Sequence, residues 1–205
     1  MSGPIIPHLD QMILSQDAKQ YSEGKWNFTK YDALGRVIMT GSFSGASRST
    51  LQSTVDSETI LWETRNSDLT NFCYSSNAYP LNTASNYTVL TLNYYDTYGF
   101  DNSYPEYLQV TGNPVKRDMV IGLQTGSKIK VLDDTNTWLT NVIYYDDKGR
   151  PLQASSENIL GTWEKATSIY DFTGKVIKSV RTHNDNALTI TNRYVYDHVG
   201  RKKEV

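Results

Sequence analysis

Eight aspartates offer the first material for chemistry. Asp32, Asp96, Asp146, Asp171 and Asp197 recur in one local frame, with Asp133, Asp134 and Asp147 nearby. Carboxylates in such numbers could serve a glycosidase or a calcium site, because both need acidic groups held close together. A catalytic acid and its base, however, need unlike surroundings so that only one keeps its proton, whereas a repeated frame gives every copy the same surroundings. His8, His183 and His198 are far apart with no HExxH spacing, and Cys73 has no Cys or His at metal-ligand or nucleophile spacing. The glycines follow turns rather than standing between a strand and a helix, so no phosphate-cradling loop is present. These residues therefore point to no catalytic group, no metal and no cofactor.

Aromatic residues are the second candidate set. Fifteen tyrosines and four tryptophans are many for 205 residues, and exposed rings spaced along a sheet can stack on sugars. Trp26, Trp62, Trp138 and Trp163 are the residues for such a carbohydrate-binding surface. The competing reading is that aromatic residues in strands pair across the sheet and fill its core. Asn27 and Asn86 open glycosylation-type sequons, NFT and NYT, short enough to be coincidental.

The elements that would hold these residues follow from the frame itself. Tyr31, Tyr95, Tyr145, Tyr170 and Tyr196 are each followed by Asp and, four residues on, by Gly35, Gly99, Gly149, Gly174 and Gly200. The next residue is Arg36, Phe100, Arg150, Lys175 or Arg201. Spacings between the tyrosines are 64, 50, 25 and 26 residues, so one unit is about 25 residues, the second gap is a doubled unit and the first carries an insertion. Asp at the first position of a tight turn accepts bonds from the turn amides, and Gly three residues later supplies the left-handed backbone. The expectation is one β-hairpin per copy, closed by a three-residue loop with a bulge.

The flanks agree with strands. Residues 137–146, 189–197, 36–40 and 175–180 are runs of β-branched and aromatic residues. Hairpins are marginal alone and must lie side by side in a continuous sheet. The cation after the glycine is placed to cover a neighbouring unit's Tyr face or to pair with its Asp. Residues 47–58 break the pattern: Leu51 and Val55 lie one helical turn apart, and Ser49 with Gln52 forms a capping box, so a short helix is expected. "ILWETRN" and "NFCYSSNAYP" read as irregular strands, and residues 118–134 as a degenerate hairpin filling the doubled interval.

The formal net charge of −2 provides no basic field for a phosphate backbone, so nucleic acid is not an expected partner. The single cysteine excludes an internal disulfide. No stretch approaches the length of a membrane span, and the opening residues lack a secretory pattern. The final "VYDHVGRKKEV" stops just after a turn, as an excised piece of an array would.

With "KWNFTKYDALGR", "YYDDKGR" and "IYDFTGK" in hand, residues 25–205 resemble the YD-repeat (Rhs) family, most closely its large surface or secreted members in Bacteroides-type bacteria. In that family such repeats build a β-sheet ribbon that spirals into a hollow shell, as in bacterial Rhs and Tc toxins and in teneurins. The resemblance implies an all-β fold of stacked hairpins in an antiparallel sheet, a ribbon or partial shell with one inserted helix near 47–58. A lead-in occupies 1–24, the repeat region 25–205, and the clearest repeats 137–205. It further implies a non-enzymatic scaffold, secreted or at the cell surface, whose partners are the rest of a longer chain with further repeats and an effector domain. A glycan partner belongs to the alternative, carbohydrate-binding reading. The family's DPxG self-cleavage signature, toxin tail and plug domain have no counterpart here, so self-cleavage and encapsulation are not expected of this chain alone.

Overall fold

The computed structural model describes residues 4–6, 10–100, 103–109, 111–132 and 136–204. Among the described residues the chain is mostly β, built on antiparallel sheet, with two short α-helices and one 3₁₀ turn. No helix among the described residues is long and apolar enough to cross a membrane. Two compact units divide at Asn93 and Tyr94.

The first unit begins with β1 (Leu14–Ser15) and α1 (Ala18–Glu23), followed by β2 (Lys25–Tyr31) and β3 (Val37–Ser44). Leu14 pairs with Phe28, so the lead-in adds a strand to the hairpin. β2 alternates strictly: Trp26, Phe28 and Lys30 are buried and Lys25 and Asn27 are exposed. Opposite them stand Phe43, Gly41 and Met39, in that order. A Cβ at Gly41 would lie 2.4 Å from the Phe28 ring, so a bare backbone is what lets that ring lie flat across the next strand and stack on Tyr87 at 4.8 Å. α2 (Arg48–Ser57) covers this face with Leu51 and Val55. The expected helix is present, but its cap is Ser47 rather than Ser49: Ser47 accepts from Thr50 N, placing the start two residues earlier. "ILWETRN" and "NFCYSSNAYP" form isolated bridges, Asp32 with Glu63 and Arg65 with Tyr74, because each is tied at one position rather than laddered. β4 (Thr88–Asp96) then pairs with β3.

The second unit takes up the end of β4 and continues with β5 (Val120–Lys130), β6 (Trp138–Tyr145), β7 (Pro151–Glu157), β8 (Trp163–Tyr170), β9 (Val176–His183) and β10 (Leu188–Arg193). Each pairs antiparallel with its sequence neighbour from β5 to β10. A last short hairpin joins β11 (Val195–Tyr196) to β12 (Lys202–Glu204). Residues 118–134 are not a hairpin: those described contain one eleven-residue strand, β5, and Asp133 and Asp134 lie outside the described residues. The two sheet faces are unequal. One carries Thr140, Val142, Tyr144, Gln153, Ser155 and Thr167, all buried, and Tyr98, Phe100, Pro105 and Leu108 lie against it. Tyr98 packs on Tyr144 at 5.0 Å, Tyr144 donates to Pro105 O, and Gln153 accepts from Leu108 N. Phe100 lies over Gly126, where a Cβ would come within 2.1 Å of the ring, and stacks on Tyr94 at 4.3 Å. A glycine roofed by a phenyl ring thus serves each unit once.

Candidate functional site

Four of the five repeated frames close the same turn. At Asp32, Asp146, Asp171 and Asp197 the glycine N–H donates to the aspartate carbonyl at 2.9–3.1 Å, and the aspartate N–H donates to the carbonyl of the cationic residue. The carboxylate fills the loop: one oxygen accepts from the residue two on and from the cationic residue's own N–H, as in Lys148 N to Asp146 at 2.9 Å and Arg150 N at 2.8 Å. Where that residue is arginine, its Nε reaches the second oxygen, at 2.6 Å for Arg36 and Arg150 and 2.7 Å for Arg201. Gly35, Gly149, Gly174 and Gly200 all have φ between 74° and 92°. The strand register shifts at each tyrosine, Tyr31, Tyr145, Tyr170 and Tyr196, leaving one extra residue on the return strand. In the first two hairpins that residue is a fully buried aliphatic, Ile38 or Leu152.

The electrostatics follow from this enclosure. Burial pushes the Asp146 carboxyl up, but the bonds from Arg150 and Lys148 outweigh it and hold the group below the ordinary carboxylate range. Asp171 is lowered first by the Thr173 hydroxyl and Asp197 first by the Arg201 side chain. These carboxylates are consumed as acceptors within their own turns, which leaves them unsuited to acid–base chemistry or to sharing a cation.

The turns are also coupled to one another. Tyr170 Oη donates to Pro151 O at 2.8 Å, and Tyr196 Oη to Val176 O at 2.9 Å, so each tyrosine is tied to the first return-strand residue of the preceding hairpin. The preceding cation lies over the same ring: Arg150 over Tyr170 at 4.5 Å and Lys175 over Tyr196 at 5.4 Å. It also covers the next glycine, with Arg150 Nη1 and Lys175 Nζ at 3.7 and 2.7 Å from a Cβ placed on Gly174 and Gly200. Tyr145 makes the same bond to Gln124 O at 2.6 Å, and Tyr31 to Met12 O at 2.9 Å. Gln11 and Leu123 then stand where the cation stands elsewhere, against Gly35 and Gly149. The expected cation-over-tyrosine ladder is thus formed by Arg150 and Lys175, while the arginines pair with their own aspartates.

The copy at Tyr95 departs from the frame. Gly99 is not in the left-handed region; Asp96 is, with φ of 71°, and so is Gly122, with φ of 84°. Asp96 Oδ1 accepts from Gly122 N at 2.7 Å. The turn begun at Asp96 is completed twenty-six residues later, and the described residues between them form no further hairpin. Phe100, at the cation's place, is buried over Gly126 on the sheet face. Leu123 and Gln124, directly after Gly122, then supply the contacts to Gly149 and Tyr145.

Two features were missed by sequence reasoning. Asn158 closes a turn with the same hydrogen bonds between β7 and β8, without the register shift, Gly161 N donating to Asn158 O and Leu160 N and Thr162 N to its Oδ1. The signal was present as "ENILGT", hidden by Asn replacing Asp and Glu157 replacing Tyr. The other is a buried pair, Lys30 Nζ to Glu63 Oε1 at 2.7 Å, with both side chains at most 2% exposed. Glu63 also accepts from Ser75 Oγ, Asn77 N and Ala78 N. Burial lowers the Lys30 ammonium, partly offset by Glu63, and raises the Tyr87 phenol beneath it. No sequence pattern could have joined residues 30 and 63.

The remaining candidates do not assemble. Trp26 is buried and donates to Ala46 O, Trp62 is 40% exposed, and Trp138 and Trp163 are half-buried. Cys73 is buried and not disulfide-bonded, His198 lies in the last turn, and His8 lies outside the described residues. His183 Nδ1 contacts Glu164 Oε1 at 2.6 Å, which lowers the Glu164 carboxyl. No group of three or more His, Cys, Asp or Glu suited to a metal occurs among the described residues. No protein-family model matches the chain, and no curated protein is significantly similar to it.

Proposed function

We propose that this chain is a non-enzymatic structural repeat module, a YD-type segment of a larger secreted or surface-associated bacterial protein whose task is to scaffold or enclose another domain. The observation that carries the reading is the coupling between successive turns. One hydroxyl, one carbonyl and one cation recur in two successive links, at Tyr170 and Tyr196, so each of these hairpins is anchored in part by the one before it. Carboxylates locked in their own turns hold shape and leave no reactive pair. A sheet assembled by such nearest-neighbour links extends in one direction without a central core, which suits a wall or strut.

Amide hydrogen exchange on Arg150→Ala combined with Tyr170→Phe tests this. Protection falls in both the β6–β7 and the β8–β9 hairpins, while the β2–β3 hairpin is unchanged. Loss confined to the β8–β9 hairpin would show that the hairpins stand independently, and the scaffold reading would fail.

A further inference from the structure

The uncovered face of β7 to β10 carries two adjacent cross-strand rows. Ala154, Ala166, Arg181 and Ile190 are successive partners in one. In the next, Ser156 pairs with Glu164, Glu164 contacts His183, and His183 pairs with Leu188. They line an open groove of about 490 Å³. Two alanines make its floor, so a flat group could approach the strands closely, and Leu188 and Ile190, 54% and 50% exposed, make an aliphatic wall.

Charge selects among occupants. Glu164 Oε1 already accepts from His183 Nδ1, Asn158 Nδ2 and Asn184 N. Arg181 faces the same groove and is exposed, and while its backbone pairs with both neighbouring strands, its guanidinium has no hydrogen bond or ion pair among the described residues. An unpaired guanidinium beside an apolar floor is complementary to a planar body bearing one carboxylate or sulfonate, because arginine binds such groups through a rigid fork of donors. The volume lies in the range of small-ligand sites, about 300 to 1,000 Å³. We propose that this groove binds a small aromatic anion, with Ala154 and Ala166 receiving the ring and Arg181 the acid group. The site uses none of the turn-ladder contacts and does not depend on the scaffold reading.

Titration of the whole chain with anilinonaphthalene sulfonate, followed by fluorescence, tests it beside the uncharged phenylnaphthylamine. Saturable binding of the sulfonate is expected, weakened about tenfold by Arg181→Ala, retained within about threefold by Arg181→Lys, and abolished by Ala166→Phe. The uncharged probe should respond to Ala166→Phe and not to Arg181→Ala. Ala154→Leu, on the neighbouring strand, serves as a second block of the floor, and circular dichroism verifies the fold of every variant. Non-saturable binding, sulfonate affinity within twofold of wild type in Arg181→Ala, or an unchanged affinity in both floor variants would overturn the proposal.

Discussion

Replacing Gly174 by valine isolates the turn chemistry on which the ladder stands. Gly174 has φ of +92°, a region that costs an L-residue about 1–2 kcal/mol and a β-branched one at least the upper end. Space alone would not forbid the change, since a Cβ would sit 3.7 Å from Arg150 Nη1, an ordinary contact. The two further methyls, however, occupy the volume through which Arg150 reaches Tyr170, whose ring centre is 4.5 Å from the guanidinium. Losing that cation–ring contact adds about 0.5–1 kcal/mol. The expected total is about 2.5–3 kcal/mol, which for a urea slope of about 2 kcal/mol/M lowers the midpoint by about 1.3–1.5 M. Phe172→Ser, in the same turn at a side chain 90% exposed, should stay within about 0.5 kcal/mol of wild type. Gly174→Asn should fall between them, because asparagine tolerates the left-handed region. Melts followed by circular dichroism that place the valine and serine variants at one midpoint would refute the assignment of this turn.

Acid should weaken the fold through the turn carboxylates. A carboxyl depressed in the folded chain stabilises it above the unfolded value, near about 3.9 for Asp, and loses that contribution as pH falls through the folded value. Asp146, Asp171 and Asp197 are all depressed, so stability is expected to stay level from neutral pH to about 5 and to drop below about 4. Asp146→Asn keeps the Oδ1 acceptor, as Asn158 does in its own turn, but should be less stable at neutral pH and show a shallower acid limb; parallel pH curves would contradict this. Lys30→Met removes one partner of a buried pair and should cost about 3–5 kcal/mol in an equilibrium melt, with much of the loss recovered when Glu63→Gln is added. A single-variant cost under about 1 kcal/mol would mean that Glu63 is held by Ser75, Asn77 and Ala78 alone.

What was legible in the amino-acid sequence was local. A turn is decided within five residues, so Asp32, Asp146, Asp171 and Asp197 could be read with their glycines and the arginine or lysine that follows. The β-branched and aromatic runs that became β3, β6, β9 and β10 were legible for the same reason, as was α2 from the spacing of Leu51 and Val55, whereas β8 carried no such run. The cap of α2 went to Ser47 because Ser47, Ser49 and Thr50 offer competing hydroxyl caps, and only the packing of the helix on the sheet selects one.

The tertiary structure decided everything that depends on two segments meeting. Gly99 and Gly122 are equally able to adopt positive φ; that Gly122 returns to Asp96, with Phe100 docked over Gly126, is seen only in the folded chain. The union of Lys30 with Glu63, the donation of each tyrosine to the preceding return strand, and the exposure of Arg181 beside two alanines are likewise products of register. Backbone conformation is a property of neighbouring residues, whereas burial and pairing depend on which distant surface arrives to exclude water, and no span of sequence shorter than the sheet itself contains that information.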